Sequence, residues 1–281
     1  MVKEHGRGFM RSMAAILIAL CALGRADADE VSIEVTFADG FEVATPTVYR
    51  IGTIALRDPH VFYTLGFLCV DATDTLNQDI QQGLDADQDG DGFYDTSPLV
   101  VFRPYDMSGL PADFETRDGL CSTDTTPDCT PADDAFVSRW YAGFDLTPPT
   151  VCLGALADTT SGYQPPVPAP GETCFATTSI DASLPVGTLS LPLWDTAFAA
   201  PWPAPNGFSG GGLVRGFLSE SDADTFMVDL GTETVTLASL LPDGTGSCAT
   251  GVAHGKDIDR GETGWWMYLE YGLDAVTASG F

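Results

Sequence analysis

The chain has few basic residues. Its 281 residues include 12 Lys and Arg against 40 Asp and Glu, so the formal net charge at pH 7 is −28. A surface of this charge repels the phosphates of nucleic acids and the headgroups of anionic lipids. We therefore expect no nucleic-acid partner. Cations are attracted to such a surface, and they would relieve the repulsion among its carboxylates.

The patterns of zinc and redox sites are also missing. The chain has three histidines, and its seven cysteines include no Cys-x-x-Cys pair. A structural zinc site or a thioredoxin-type redox site depends on such clusters, so neither is expected. No apolar run approaches the roughly 20 residues of a membrane-spanning helix. We therefore expect no transmembrane segment in the mature chain.

The first 28 residues have the pattern of a signal peptide. Lys3, Arg7 and Arg11 precede an apolar run over residues 13–23, and Ala-Asp-Ala at residues 26–28 is a small-residue cleavage site. We predict cleavage after Ala28 and secretion to the periplasm or the cell exterior. Acylation of Cys21, as in lipoproteins, is an alternative that the preceding leucine disfavours, because that processing prefers a small residue there.

Six cysteines remain in the mature chain, an even number that favours disulfides in an oxidising compartment. Pairing of neighbours along the chain is one of fifteen possible connectivities, and the sequence does not choose among them. Pairing of neighbours would give Cys121–Cys129 and Cys152–Cys174, and would leave Cys69 with Cys248.

Apolar residues alternate with polar ones along most of the chain, which is typical of half-buried strands. Short strand patterns separated by Gly, Pro and Asp predict a mainly β fold, an antiparallel β-sandwich-like arrangement with one short helix and long disulfide-braced loops. The helix is indicated by Leu76, Ile80 and Leu84, spaced by four residues behind Thr73 and Asp74. We predict one secreted domain over residues 29–281, with a possible subdivision near residues 164–171. The strands are predicted at residues 31–37, 48–56, 99–102, 136–141, 173–180, 188–193, 213–218, 225–230, 234–240 and 265–271.

The strongest functional signal is the segment over residues 85–95, named here the aspartate loop, which reads Asp-Ala-Asp-Gln-Asp-Gly-Asp-Gly-Phe-Tyr-Asp. Carboxylates at alternate positions of a tight loop can converge on one hard cation, and glycine permits the bend that closes the ring. Two registers overlap. The first begins at Asp85 with Gly90 at the bend, and the second begins at Asp87 with Gly92 at the bend. Together the candidate metal ligands are Asp85, Asp87, Asp89, Asp91 and Asp95.

Residues 85–96 resemble the EF-hand-like calcium loops of dockerins and of thrombospondin type 3 repeats. The resemblance covers only this segment, and it implies calcium as the bound ion. The segment departs from a full EF-hand because Thr96 or Pro98 stands where a bidentate glutamate is usual, and because Pro98 leads into a strand pattern. A structural calcium site is therefore expected in preference to a regulatory switch.

Two further acidic groups are present, one at Glu220, Asp222 and Asp224 and the other at Asp257, Asp259 and Glu262. Neither has a glycine where a calcium loop would need one, so ion pairing or solvent exposure is the favoured interpretation of both.

A weaker pattern raises the possibility of hydrolysis. Residues 207–211 match the G-x-S-x-G motif, and the chain order Ser209, Asp229, His254 is that of an α/β-hydrolase triad. The prolines before this segment and the glycines after it do not suit a strand–serine–helix elbow, so a glycine-rich turn is favoured. A secreted serine hydrolase remains the first alternative to a non-catalytic protein.

Aromatic residues crowd the segment from Trp265 to Tyr271. Strand alternation places Trp265 and Tyr271 on one face and Trp266 and Tyr268 on the other. An exposed row could stack on sugar rings, so a carbohydrate-binding module is a second alternative. The leading hypothesis is a calcium-binding surface, adhesion or interaction module without catalysis, whose partner is an unidentified protein or glycan.

Overall fold

Most of the described strands pair in one large sheet. A computed structural model describes residues 46–103, 112–132, 138–145, 152–167, 174–186, 189–201, 208–230, 233–251 and 254–281. The predicted signal peptide and the strand predicted at residues 31–37 lie outside these residues.

Within the described residues the structure has three helices, α1 (Thr73–Leu84), α2 (Glu220–Thr225) and α3 (Leu237–Leu240). The strands in chain order are β1 (Thr47–Asp58), β2 (Phe62–Leu65), β3 (Leu68–Asp71), β4 (Pro98–Arg103), β5 (Ala112–Cys121), β6 (Asp128–Pro131), β7 (Ser138–Asp145), β8 (Cys174–Thr177), β9 (Ile180–Val186), β10 (Leu189–Pro201), β11 (Phe208–Ser219), β12 (Met227–Asp229), β13 (Thr234–Thr236), β14 (Asp257–Asp259), β15 (Glu262–Ala275) and β16 (Thr277–Ala278).

The main sheet has the order β16-β6-β5-β4-β1-β15-β11-β10-β8-β7, with β14 beside β15 and β9 beside β10. Strand β5 also pairs with β7, from Ala112 opposite Ala142 to Thr116 opposite Ser138, so the sheet closes on itself. Neighbouring strands within this sheet are antiparallel, except that β16 runs parallel to β6. The predicted mainly β, antiparallel class is confirmed. One closed sheet, with the separate two-stranded sheets β2–β3 and β12–β13, stands where the sequence indicated sandwich-like layers. Alternation shows which face of a strand is buried but not which strands pair.

The two faces of the sheet have separate apolar clusters. Alternation along β4 sends Val100 and Phe102 to the largest cluster and Leu99 and Val101 to a smaller one on the other face. Large aromatic rings fill the largest cluster, with Phe102, Phe114 and Phe175 within 5.7 Å of one another between ring centroids. A third cluster, around Trp266 and Tyr268, is covered by residues 152–167.

The glycine-rich segment before Leu213 belongs to a strand, not to the turn that the sequence favours. Strand β11 begins at Phe208, and its register with β15 shifts between Phe208 and Gly212. A Cβ atom at Gly212 would lie 2.5 Å from the ring of Tyr271, so only glycine lets the backbone pass this buried ring.

Another prediction is wrong in part. Residues 234–240 were expected to form one strand, but β13 ends at Thr236 and α3 follows. The side chain of Thr236 accepts a hydrogen bond from the backbone N–H of Ser239 at 3.3 Å, which caps the helix and ends the strand.

The six cysteines form the three pairs that neighbour pairing gives. Cys121–Cys129 closes the β5–β6 hairpin, Cys152–Cys174 anchors residues 152–167 to β8, and Cys69–Cys248 spans 179 residues of sequence. All described residues belong to one compact unit. None of the helices among them has the length and apolar character needed to cross a membrane.

Candidate metal centre

Helix α1 delivers the chain to the aspartate loop. Asp71 precedes its start and holds the first helical residue, because Oδ1 accepts hydrogen bonds from the backbone N–H and the hydroxyl of Thr73, at 2.9 and 2.6 Å. Ile80 and Leu84 are buried on one side of the helix, as their spacing predicts. The helix ends at the buried Leu84, so the position of the first residue of the aspartate loop is fixed by the packing of α1.

Three carboxylates of the loop converge. Ligand oxygens of Asp87, Asp89 and Asp91 all lie within 4.8 Å of one another. Asp87 is half-buried, whereas Asp89 and Asp91 are exposed. Carboxylate oxygens are the ligands that hard divalent cations take, so the group could hold one such ion.

Backbone N–H groups wrap around Asp87 and fix the loop. Its Oδ1 accepts hydrogen bonds from the N–H groups of Gly90 and Asp91 at 2.8 and 3.1 Å, and its Oδ2 accepts one from Gly92 at 3.1 Å. Gly92 has a φ of 87°, a conformation that residues with a Cβ adopt only under strain. This bend turns the chain after Asp91 back towards the sheet.

Asp85 and Asp95 have other partners. The carboxylate of Asp85 accepts a hydrogen bond from Nε2 of Gln81 at 2.9 Å, and that of Asp95 accepts one from the N–H of Gln88 at 3.2 Å. Neither belongs to the group of converging carboxylates. The converging group therefore contains Asp87, Asp89 and Asp91 of the register that begins at Asp87, but not Asp95.

The far side of the loop is bound to the β5–β6 hairpin. The N–H of Tyr94 donates to the carbonyl of Cys121 at 3.0 Å, and the N–H of Thr123 donates to the carbonyl of Gly92 at 2.9 Å. Phe93 and Ser122 form an isolated β-bridge between these bonds. The loop thus continues the strand pairing of the hairpin.

Arg50 supports the loop from beneath, a role that the sequence did not indicate. Its side chain is only 2% exposed, its guanidinium carbon lies 3.7 Å from the centre of the Tyr94 ring, and Nη2 donates to the carbonyl of Leu84. Burial lowers the pKa of Arg50, and Tyr94, Asp274 and Asp85 oppose that change. No local pattern in the sequence identifies the ring of Tyr94 as the partner of Arg50.

The other two acidic groups are partly engaged in ion pairs and partly exposed. Glu220, in α2, pairs with Lys256, and Asp257 lies 3.1 Å from Nε2 of His254. Oδ2 of Asp259 lies 3.7 Å from Nε of Arg260, whereas Asp224 and Glu262 are exposed. The interpretation favoured from the sequence, ion pairing or solvent exposure, thus describes these five residues.

The residues of the hydrolase alternative lie in two different strands and in the segment before β14. Ser209 belongs to β11 and Asp229 to β12, but their side chains lie outside the described part of the structure. Nε2 of His254 contacts Oδ1 of Asp257, a carboxylate that the sequence did not suggest as its partner. Ser209 lies within a strand, not in the strand–turn–helix elbow of α/β-hydrolases.

The aromatic residues of β15 lie on the two predicted faces and are buried on both. Trp265 and Tyr271 belong to the largest cluster, and Trp266 and Tyr268 belong to the cluster under residues 152–167. Each of these four side chains is at most 7% exposed. These rings therefore cannot stack on a sugar without a large rearrangement.

Comparison of the chain with protein-family models, with curated proteins and with solved structures gives no match in any of the three.

Proposed function

We propose that this protein binds one calcium ion through Asp87, Asp89 and Asp91, and that it acts as a secreted, non-catalytic surface, adhesion or interaction module. The observation that carries the proposal is the convergence of the three carboxylates within 4.8 Å. Calcium is the favoured ion because it accepts six to eight oxygen ligands in flexible geometry, and three carboxylates in an exposed loop suit that preference. The net charge of −28 also favours cation binding.

The ion would act on stability. Carboxylates held this close repel one another, and a divalent cation replaces that repulsion with attraction. Asp87 is already oriented by three backbone N–H groups, so little ordering of this side chain is needed on binding. The loop is hydrogen-bonded to α1 and to the β5–β6 hairpin, and its Tyr94 ring lies against Arg50, so the ion would stabilise the junction of these elements.

Secretion is supported by the three disulfides, which form and persist in oxidising compartments. An interaction role is favoured over catalysis because Ser209 lies in a strand of the main sheet and the described structure gives His254 a partner outside the triad.

The test is a calcium titration of the purified protein by calorimetry, with Asp91→Asn and Asp85→Asn as paired variants. The wild type should bind with a Kd on the order of 10⁻⁴ to 10⁻³ M or tighter, as extracellular calcium modules do. Asp91→Asn should weaken binding by about tenfold or more. Asp85→Asn removes the same charge from the same loop but no converging ligand, so its Kd should stay within about twofold.

Thermal unfolding gives the second readout. Calcium at a hundred times its Kd stabilises the folded state by about 2.7 kcal/mol, which raises the Tm of a chain of this size by roughly 5–10 °C relative to chelator. Absence of binding heat together with an unchanged Tm would contradict the proposal. Equal loss of binding in both variants would contradict the register that begins at Asp87.

A further inference from the structure

A second segment of the chain docks on the same hairpin as the aspartate loop. After β15 the chain turns onto the β5–β6 hairpin, and residues 276–281 are named here the docking segment. Its strand, β16, is parallel to β6, with Thr277 opposite Asp128 and Ala278 opposite Cys129. The N–H of Thr277 donates to the carbonyl of Pro127 at 2.9 Å, and the N–H of Ser279 donates to that of Cys129 at 3.1 Å.

The docking segment is held weakly by its backbone. Its paired strand is two residues long, and residues 277–280 are exposed. The remaining attachment comes from Val276 and Phe281, which are half-buried against a cluster of Val48, Leu99, Val101 and the Cys121–Cys129 disulfide. Short exposed strands with few buried contacts belong to the low-stability end of a fold.

The aspartate loop packs on this same cluster. Tyr94 contacts it as Val276 and Phe281 do. The two cysteines of the hairpin also bind one segment each through their backbone. The carbonyl of Cys121 accepts a hydrogen bond from the loop, and the carbonyl of Cys129 accepts one from the docking segment. One disulfide joins these two cysteines. The hairpin therefore carries the loop on β5 and the docking segment on β6.

We propose that the aspartate loop and the docking segment are energetically coupled through the β5–β6 hairpin, so that calcium binding fixes the docking segment and loss of calcium releases it. The inference rests on the proposed calcium function and adds its regulation. Without the ion, repulsion among the three carboxylates loosens the bend at Gly92, and Tyr94 loses its place in the cluster. Val276 and Phe281 then lose one wall of their contact surface, so β16 is held less firmly on β6.

Coupling between sites is reciprocal, and this gives a test far from the carboxylates. If bound calcium raises the equilibrium constant for docking of the segment by some factor, then docking must raise the calcium association constant by the same factor. Couplings of this kind are commonly 5–150-fold, and the small shared cluster places this one at about tenfold. Substitution in the docking segment should therefore weaken calcium binding, although no ligand is touched.

The first measurement is calorimetric titration with calcium of the wild type, Phe281→Ala, Ser279→Pro and Ile258→Ala. Phe281→Ala removes the ring from the cluster, and Ser279→Pro removes the N–H that donates to Cys129 without changing the cluster. Both should raise the Kd by about tenfold. Ile258 is 72% exposed and outside the cluster, so Ile258→Ala should bind as the wild type does.

The second measurement is hydrogen–deuterium exchange of the wild type in saturating calcium and in chelator. The amides of Thr277 and Ser279 should lose about tenfold in protection without calcium. The amide of Leu230, which donates to Glu233 beside the separate β12–β13 sheet, should change little and so controls for global stabilisation.

The outcomes separate the two proposals. Calcium binding that is equal in the wild type, Phe281→Ala and Ser279→Pro, with protection of Thr277 and Ser279 independent of calcium, would overturn the coupling and leave the calcium site standing. Absence of calcium binding to the wild type would overturn both. A drop in affinity in all three variants, including Ile258→Ala, would also overturn the coupling, since it would reflect general instability.

Discussion

Two ionisable side chains of β1, Arg50 and Asp58, are buried with incomplete hydrogen bonding. Arg50 is 2% exposed and Asp58 is 1% exposed. Oδ2 of Asp58 accepts a hydrogen bond from the N–H of Ser161 at 2.8 Å, but Oδ1 has no hydrogen-bond partner among the described residues, nor does Nε of Arg50. Buried polar atoms of this kind cost stability. In Arg50 the contacts with the aspartate loop offset part of that cost.

The surroundings of Asp58 determine how its charge affects stability. Burial raises the pKa of Asp58, and this effect exceeds the opposing influences of the Ser161 N–H, His254 and His60, while Asp257 adds to it. A carboxyl whose pKa is higher in the folded than in the unfolded state binds its proton more tightly when folded. Its ionisation therefore weakens the fold above the folded-state pKa, and the penalty disappears as pH falls below the ordinary aspartate range.

We predict that Asp58→Asn raises the free energy of unfolding at pH 7 to 8, and that this advantage shrinks as pH is lowered towards the ordinary pKa of aspartate. Asparagine keeps an oxygen acceptor for Ser161 and removes the buried charge. Urea unfolding across this pH range, in chelator so that metal binding adds no pH dependence, measures the difference. The exposed Asp79→Asn in α1 is the control. An advantage that grows on acidification would contradict the assigned direction of the pKa change.

At the scale of elements, the side chain of Asn77 in α1 is hydrogen-bonded to an irregular part of β1. The register of β1 with β15 shifts between Leu56 and Asp58, and there the amide of Asn77 completes the backbone pairing. Nδ2 of Asn77 donates to the carbonyl of Leu56 at 2.9 Å, and the N–H of Leu56 donates to Oδ1 of Asn77 at 2.7 Å. The amide thus substitutes for a neighbouring strand.

Replacing Asn77 by alanine should destabilise the protein by about 1–3 kcal/mol, because it leaves two backbone groups of the buried Leu56 without partners. The higher helix propensity of alanine offsets roughly 0.5 kcal/mol of this loss. The midpoint of urea unfolding provides the measurement. Gln78→Ala is the matched control, since Gln78 is the next residue of the helix and is exposed. Equal midpoints for the two variants would show that the Asn77 bonds contribute nothing.

The elements that could be predicted from the sequence are those whose burial pattern is local. The four-residue spacing of Leu76, Ile80 and Leu84 predicts α1, and alternation predicts β1 and β15. Strand β5 was missed because its charged residues hide the pattern, although Glu115 is 2% exposed in the structure. The closure of the sheet by β5 and β7 depends on contacts between distant residues, which no short pattern records.

The candidate metal centre, too, could be predicted from the sequence only in part. The spacing of the aspartates predicts a loop whose carboxylates converge, and in the structure those of Asp87, Asp89 and Asp91 do so. Asp85 and Asp95 lie outside this group, and their spacing gives no sign of their hydrogen bonds with Gln81 and Gln88. Arg50 could not be foreseen, since its contact with Tyr94 joins residues 44 positions apart.

At the scale of the whole molecule, the longest covalent constraint is Cys69–Cys248. It joins β3 to the segment after α3 and closes 179 residues of chain. The β2–β3 hairpin that it anchors is otherwise exposed, with Leu65 58% and Phe67 93% accessible. A bridge over so long a loop restricts the unfolded chain strongly, and chain-entropy reasoning assigns it about 5 kcal/mol.

Removal of this bridge by combined Cys69→Ala and Cys248→Ala should lower the free energy of unfolding by about 2–5 kcal/mol, and the Tm by roughly 5–15 °C. Thermal and urea unfolding under non-reducing conditions provide the measurement. Leu65→Ala, on the same hairpin, controls for the loss of apolar surface. A double variant as stable as this control would mean that the constraint has no effect on the unfolded chain.

The same disulfide determines whether the fragments separate after proteolytic cleavage. Cleavage at any single peptide bond between Cys69 and Cys248 cuts the backbone but leaves both fragments in one covalent molecule. Such a nicked protein would migrate as an intact chain on a non-reducing gel and would separate into two bands only after reduction. While the disulfide stays oxidised, a cut within this span would therefore not by itself release either fragment, and the two halves of the sheet would stay at the high local concentration that favours their pairing.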